Sequence, residues 1–522
     1  MMTHLAHSSN TNNSDTIRVP RPVIHGLTGI VNTANTCYMN SAIQLLSHIN
    51  PLTRYLLEHK EEIYKTLEHN AKKIFKDSIN FGVECATSNV SIELRRKIQD
   101  PEYNSSMLTA DEKTFIYNNT ITAQLIRLLE NMWAKNCVII PTSFRYTFSE
   151  ARNKFFHGCE QHDAEEAYSC ILQKLQEELS EEHNVTIKTN NTAILDYARF
   201  KNDIDAKIQK TNDIEIKQQL INFYNQKKRE MPMESLVVES HGEMIKYYGT
   251  TYGRVTDIFS GFLHSSMSCP DPNCNYSSNK FDPYLHLSLP LPPPIYIRPM
   301  GESIGSTNST GSNGSTNSIG SNGLTSSIGS IGSNGLTSST GLYGLNGLTG
   351  STSPYNFMGI NNGLRYKSLT IDDCLHEYCK TEMLDEQNLW SCEGCHKKVR
   401  GIKRLQIWTS PPVLVIQLKR FGNERIRKDS RLVEYPMEHF NIGQLISRAY
   451  YDSRKCYEYR LQGVINHTGG LNGGHYFTYC KDEDSNNWYE FNDVHVTRIP
   501  IQKVVTPTAY ILVYIRMDMF NY

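Results

Sequence analysis

The stretch Gly29–Leu46, GIVNTANTCYMNSAIQLL, admits little besides a loop that runs straight into a buried helix. Asn35 and Thr36 belong to the residue types that favour a helix N-cap. After them Tyr38, Met39, Ala42, Ile43, Leu45, Leu46 and Ile49 recur at helical spacing and form one apolar face. Pro51 is expected to end the run, because proline disfavours helix at the residue before it. Cys37 then sits in the first turn. Unpaired N–H groups and the helix dipole there favour a thiolate over a thiol. A lone cysteine at a helix start can equally be a small buried hydrophobe. Two other features weigh toward chemistry. Asn32, five residues upstream, is placed to give an oxyanion donor beside the Cys37 N–H. Far downstream, GGHYFTY at Gly473–Tyr479 supplies a matching base in His475.

These residues carry a resemblance. NTANTCYMNS looks like the cysteine box of the ubiquitin-specific proteases, and GGHYFTY resembles their histidine box. EQHDAEEAY at Glu160–Tyr168 is similar to the glutamine-aspartate box of that family, and VLVIQLKRF at Val413–Phe421 to one of its core strands. The resemblance runs from about His25 to Ile515, and four motifs in the right order are far more specific than any one. Two positions depart from the pattern. Ala34 stands where glycine is usual, and Ala167 where an aromatic is usual.

The resemblance implies an α+β fold: a papain-like helical thumb, a β-rich palm and a zinc-binding β fingers subdomain, with several insertions. It implies a deubiquitinating cysteine protease that cleaves after the C-terminal glycine of ubiquitin. The alternatives are a protease of a ubiquitin-like modifier and an inactive ubiquitin-binding scaffold. Cys37 would be the nucleophile, His475 the base and Asn32 an oxyanion donor. The third catalytic residue would be Asn492 or Asp493 in WYEFND, with Asn492 at the family's usual position. In an extended segment the two side chains point to opposite faces, so only one can meet the imidazole unless the chain turns. Gln161, Asp163, Phe421, Gly474 and Tyr476 would border the channel for the ubiquitin tail.

Composition narrows the rest. The chain has 522 residues and a formal net charge of −1, so no bulk field calls for nucleic acid or an anionic membrane. No apolar run approaches the roughly 18 residues of a membrane span. The first residues, MMTHLAHSSNTNNSD, hold no signal-peptide core, so a cytoplasmic or nuclear protein is expected. Thirteen scattered cysteines then read as thiols and metal ligands rather than a disulfide framework.

Residues 1–22 are polar and are expected to form a disordered tail before a catalytic domain over 23–519. Residues of about 58–117 form a charged insertion, helical in part, whose charges read as a solvated face. Ala164, Ala167, Tyr168, Ile171, Leu172, Leu175 and Leu179 make an amphipathic helix with Asp163 at its N-cap. A second insertion, about 183–253, is helical, and DIEIKQQLINFYNQKKRE has the look of a short coiled segment with too few heptads to make a coiled coil. A third, about 299–364, is nearly all Gly, Ser, Thr and Asn, and cannot bury enough apolar surface to stay ordered.

Cys269 and Cys274 bracket one turn, and Cys392 and Cys395 bracket another. Two such pairs brought together make a four-thiolate tetrahedral zinc site, so one structural zinc ion is expected. His396 is adjacent and reads as a bystander.

Overall fold

The computed structural model describes residues 26–76, 89–134, 136–186, 189–294, 296–297, 357–361, 364–421, 428–470 and 473–520. The chain forms two compact units. One comprises the described residues up to Pro292 together with Leu369 onward, and the other lies within Pro293–Ser368.

The larger unit is built on an antiparallel sheet. Its order is His495–Ile499, Asn487–Asn492, Gly473–Asp482, Glu458–Gly470, Ala509–Arg516 and Val413–Lys419. Leu287–Pro290 joins the last of these in parallel. AYILVYIR and VLVIQLK lie in the middle and are buried on both faces, which is why they read as unbroken apolar runs.

The expected helix forms over Cys37–Ser47, and every one of its residues is buried. It stops one turn before Pro51, and that proline opens a new helix, Asn50–Glu58. Proline fits a first helical turn because the N–H it lacks would have no partner there. The helix nests on the sheet where Gly463 leaves room. A β-carbon on Gly463 would lie 2.5 Å from Leu45 Cδ1. Sheet side chains also donate to helix carbonyls. Thr478 Oγ1 bonds Ser41 O at 3.1 Å, and Gln462 Nε2 bonds His48 O at 2.9 Å.

Helices Asn50–Glu58, Ile121–Ala134, Thr142–Lys154 and Ala164–Leu179 complete the layer around Cys37–Ser47. The charged segment beyond Glu58 departs from a solvated face. Ile63, Leu67, Phe75, Leu94, Ile98 and Ile116 join the main core, and Glu68 and Glu112 are buried. Lys97 pairs with Glu112 at 2.8 Å, and Glu112 also completes a capping box with Thr109. Charge run and burial coexist here because each buried carboxylate has a cation or a helix N-terminus to meet.

A second sheet, Glu382–Met383, Ile402–Thr409, Gly261–Ser268 and Ser277–Tyr284, projects the cysteine turns. Three helices of the second insertion lie beside it: Thr192–Lys210, Ile214–Glu230 and Pro232–Thr251. Val237 and Met244 bury against Phe262, Phe281 and Trp408 of the sheet. Ile214–Glu230 has no buried residue and docks through aromatic contact, Phe223 on Phe200 at 5.5 Å, rather than a heptad seam.

Most of the third insertion lies outside the described residues. Its end does not match the disorder expected of it. Phe357–Asn361 and Leu364–Lys367 pair as strands, with Tyr296–Ile297 alongside. FMGIN carries three apolar side chains, unlike the Gly/Ser/Thr/Asn sequence before it. Among the described residues, no helix is long and apolar enough to cross a membrane.

Glu178 is 5% exposed and accepts from the N–H groups of Ile121 and Thr122 at 3.0 and 2.8 Å. Burial outweighs those bonds and raises its carboxyl from 4.5 to about 7. The native state therefore keeps a proton that the unfolded chain has released. The resulting stability is complete below about 4.5 and is lost as pH rises through about 7, up to roughly 3 kcal/mol in all. Melting temperature should fall between about pH 4.5 and 7, and Glu178→Gln should flatten that slope. Parallel slopes in thermal denaturation would dismiss the assignment.

Candidate active site

Cys37 is the first residue of its helix and is 3% exposed. Thr36 holds the N-cap position, but its hydroxyl makes no capping bond. The loop is pinned by Asn32 instead. Asn32 Oδ1 accepts the Thr36 N–H at 2.8 Å, and its Nδ2 donates to Asp493 Oδ2 at 3.0 Å. Ala34 and Asn35 are both left-handed, with φ of 65° and 62°. That conformation suits glycine and costs an alanine about 1–2 kcal/mol, so the departure at Ala34 stores strain beside Cys37.

The thiol does not behave as a helix start alone would suggest. Burial pushes it above its ordinary value, and the Asp493 carboxylate adds to the rise. Backbone hydrogen bonds with Tyr476, Tyr38 and Cys37 itself pull the other way and lose. Desolvation of a charge outweighs a few N–H donors, so the free protein holds a neutral thiol.

His475 lies on Gly473–Asp482, one residue before the Tyr476 backbone that reaches the thiol. Its Nε2 is 2.7 Å from Asn492 Oδ1. The amide orientation is set by Asn492 Nδ2, which faces Glu490 Oε1 at 3.4 Å. An amide oxygen only accepts, so the imidazole donates from Nε2 and turns Nδ1 away from Asn492.

Asp493 takes no part in that contact, because the chain turns. It is left-handed, with φ of 50°, between strands paired at Asn492 and His495. Its carboxylate accepts from Asn32 Nδ2 and from Asn40 Nδ2 at 2.9 Å, and its carbonyl accepts the Ile30 N–H at 2.9 Å. Asn40 was not among the expected residues. An amide buried in an otherwise apolar helix face was its signal.

Gln161 grips the peptide before the histidine. Its Oε1 accepts the Gly474 N–H at 3.1 Å, and its Nε2 donates to Gly474 O at 3.2 Å. Asp163 caps its helix through the Glu165 N–H at 2.8 Å. The carboxylate oxygen left over from the cap accepts from Tyr510 Oη at 2.6 Å, a partner no local pattern announced. Burial raises the Asp163 carboxyl. Phe421 packs on His467 and Tyr510, and the ring of Tyr476 is buried against the same pair.

The four cysteines Cys269, Cys274, Cys392 and Cys395 converge, with all Sγ atoms within 4.8 Å of one another. Cys274 and Cys392 are 3.5 Å apart, and Cys269 and Cys395 4.0 Å. A tetrahedron with zinc–sulfur bonds of about 2.3 Å has edges of about 3.8 Å, so the donor set fits a metal of that kind. Each turn closes on a left-handed residue just past its second cysteine, Asn275 at φ 50° and His396 at φ 56°. In the second turn Gly394 lets the knuckle close. A β-carbon there would lie 2.8 Å from Cys274 Sγ.

A thiol at a helix start and an amide-oriented imidazole on the facing sheet define a papain-like cysteine peptidase. A family model described as ubiquitin carboxyl-terminal hydrolase matches residues 28–514. A probable ubiquitin carboxyl-terminal hydrolase of Acanthamoeba polyphaga mimivirus is 43% identical over 497 residues, covering 95% of this chain and 92% of the viral one. Human ubiquitin carboxyl-terminal hydrolase 2 is 24% identical across 94% of this chain, which spans 55% of the human protein. A chain of the SAGA DUB module bound to monoubiquitin is 18% identical with a TM-score of 0.48, covering 94% of this chain and 70% of that one. The chain belongs to the ubiquitin carboxyl-terminal hydrolase family and is a deubiquitinating cysteine protease.

Proposed function

We propose that this protein hydrolyses the isopeptide bond between the C-terminal glycine of ubiquitin and a lysine, with Cys37 as nucleophile. The observation that carries the reading is the tautomer. Asn492 holds the Nε2 proton of His475, which leaves Nδ1 free to take a proton from a buried neutral thiol. The Cys37 sulfur attacks the glycine carbonyl as its proton passes to His475. Asn32 and the Cys37 N–H face the oxyanion. The imidazolium gives its proton to the leaving lysine amine, and a thioester remains. Water, deprotonated by His475, cleaves the thioester and restores the thiol.

Gln161, Asp163, Phe421, Gly474 and Tyr476 would border the ubiquitin tail. The Gln161–Gly474 pairing supports this, since it holds a backbone edge of the cleft in place. A catalytic domain over 23–519, interrupted by three insertions, remains the reading of the organisation. Ubiquitin bearing a C-terminal electrophile should label the protein at Cys37 and fail on Cys37→Ala. Labelling only by another ubiquitin-like modifier would redirect the substrate. No labelling by any modifier would leave a scaffold.

Asn492→Ala should lower kcat about tenfold to hundredfold with KM within about twofold, because orientation matters most in the transition state. Asp493→Ala should instead lower the melting temperature, since it strips acceptors from Asn32 and Asn40. The opposite split between kinetics and melting would exchange the two roles.

Zinc is the metal that the four-thiolate set favours, at one equivalent per chain. Metal analysis should find it, and the double variant Cys392→Ser with Cys395→Ser should lose it. Zinc retained by the double variant would place the ion elsewhere.

A further inference from the structure

A second imidazole lies behind the catalytic strand, and the mechanism above gives it no task. His467 is 3% exposed and pairs with Tyr476 in the strand register, while Thr468 pairs with His475. Its ring lies 4.5 Å from that of Tyr476 and 5.4 Å from that of Phe421. One edge of the ring faces Gly474. A β-carbon at that glycine would fall 2.2 Å from His467 Nε2. Gly474 is the residue whose peptide Gln161 grips, immediately before His475. The other edge meets a cation. Lys428 Nζ is 2.9 Å from His467 Nδ1 and also donates to the His467 carbonyl. The same ammonium stands 5.8 Å from the centre of the Phe421 ring.

An ammonium has three donors and no lone pair. Its bond to Nδ1 therefore needs that nitrogen bare, which puts the ring proton on Nε2. We propose that Lys428 is a positioning residue for the cleavage reaction: it locks His467 as the neutral Nε2–H tautomer, turns that N–H toward Gly474, and keeps positive charge off the ring beside His475. This rests on the reading of His475 as the base.

The electrostatics agree with the geometry. Burial, then Lys428, then His475 push His467 down to about 4. Burial, then Arg420, push Lys428 down to about 8, so at neutral pH the lysine holds its proton and the histidine does not. Among the described residues, the titratable groups around His467 are few. Lys428 faces it from the segment after Phe421. Tyr476 and His475 face it from the neighbouring strand, and burial holds the Tyr476 phenol well above its ordinary range. Behind Tyr476 stands Tyr510, tied to Asp163. Removing the Lys428 charge would lift one of these causes and let His467 rise part of the way back, burial remaining the larger one. A protonated His467 would then oppose the imidazolium that His475 must form.

The test uses the full chain and its Lys428→Met and Lys428→Arg variants. kcat/KM on a ubiquitin substrate with a fluorogenic leaving group is followed from about pH 5 to 9, with melting temperatures alongside. The acidic limb of Lys428→Met should lie at higher pH than that of wild type. Its rate should fall below wild type toward about pH 5 and stay within about twofold of it at about pH 8. Lys428→Arg should keep the wild-type profile. Nitrogen-15 spectra of labelled histidine should show one Nε2–H tautomer at His467 in the wild type and lose it in Lys428→Met. A Lys428→Met profile that superposes on wild type, or an equal loss at every pH in both variants, would overturn the inference. Absence of turnover in the wild type would instead refute the assigned function.

Discussion

Three segments of this chain meet at the Asp493 carboxylate. Its two oxygens hold Asn32 from the loop before the nucleophile and Asn40 from the nucleophile helix, and its carbonyl holds the N–H of Ile30. The next residue, Val494, lies so close to Gly29 that a β-carbon there would sit 2.4 Å from its carbonyl. Residues more than 450 positions apart are thereby fixed to within a hydrogen bond. Asn492, one residue earlier, points the other way and orients His475. A single hairpin turn thus sets the distance between the two halves of the chemistry. The left-handed backbone at Asp493 is what sends the adjacent side chains to different partners.

Legibility followed the range of the interaction. The nucleophile helix was readable because an apolar stripe is local. Asp163 was readable as a cap for the same reason. The cysteine turns were readable although their pairs are far apart, since each knuckle is a short local motif. Contacts closed by the fold left no such trace. Nothing near Asp163 foretells Tyr510, and nothing near His467 foretells Lys428. The charged residues after Glu58 were misjudged because a charge run does not show which carboxylate will meet a helix N-terminus or a buried lysine. The strand at Phe357–Asn361 was missed because composition was averaged over a long polar segment.

The second insertion is more than a solvent appendage. Its helix Pro232–Thr251 supplies Val237 and Met244 to the cluster under Trp408, and Tyr247 ties Gln176 to Ser260. Gln176 belongs to the helix that Asp163 caps. The finger sheet is therefore packed against helices whose other contacts lead back to the catalytic layer. Fully burying an aliphatic side chain contributes roughly 1.5–3 kcal/mol, so two of them outweigh the surface ion pairs along the same helices.

The state of the thiol shows which physical effect governs the site. A helix N-terminus and three backbone hydrogen bonds all favour a thiolate at Cys37. Burial and the neighbouring Asp493 oppose them and prevail. The carboxylate that clamps the loop is thus also a charge that disfavours the nucleophilic form. Cys37 therefore rests as a buried thiol, and thiols resist oxidation and stray electrophiles better than thiolates. In the reaction proposed above, His475 accepts a proton when a carbonyl is in place. That demand falls on Nδ1, the nitrogen not held by Asn492. The cost of keeping Cys37 buried is met by fixing its base, which is why one turn of backbone has to hold both Asn492 and Asp493.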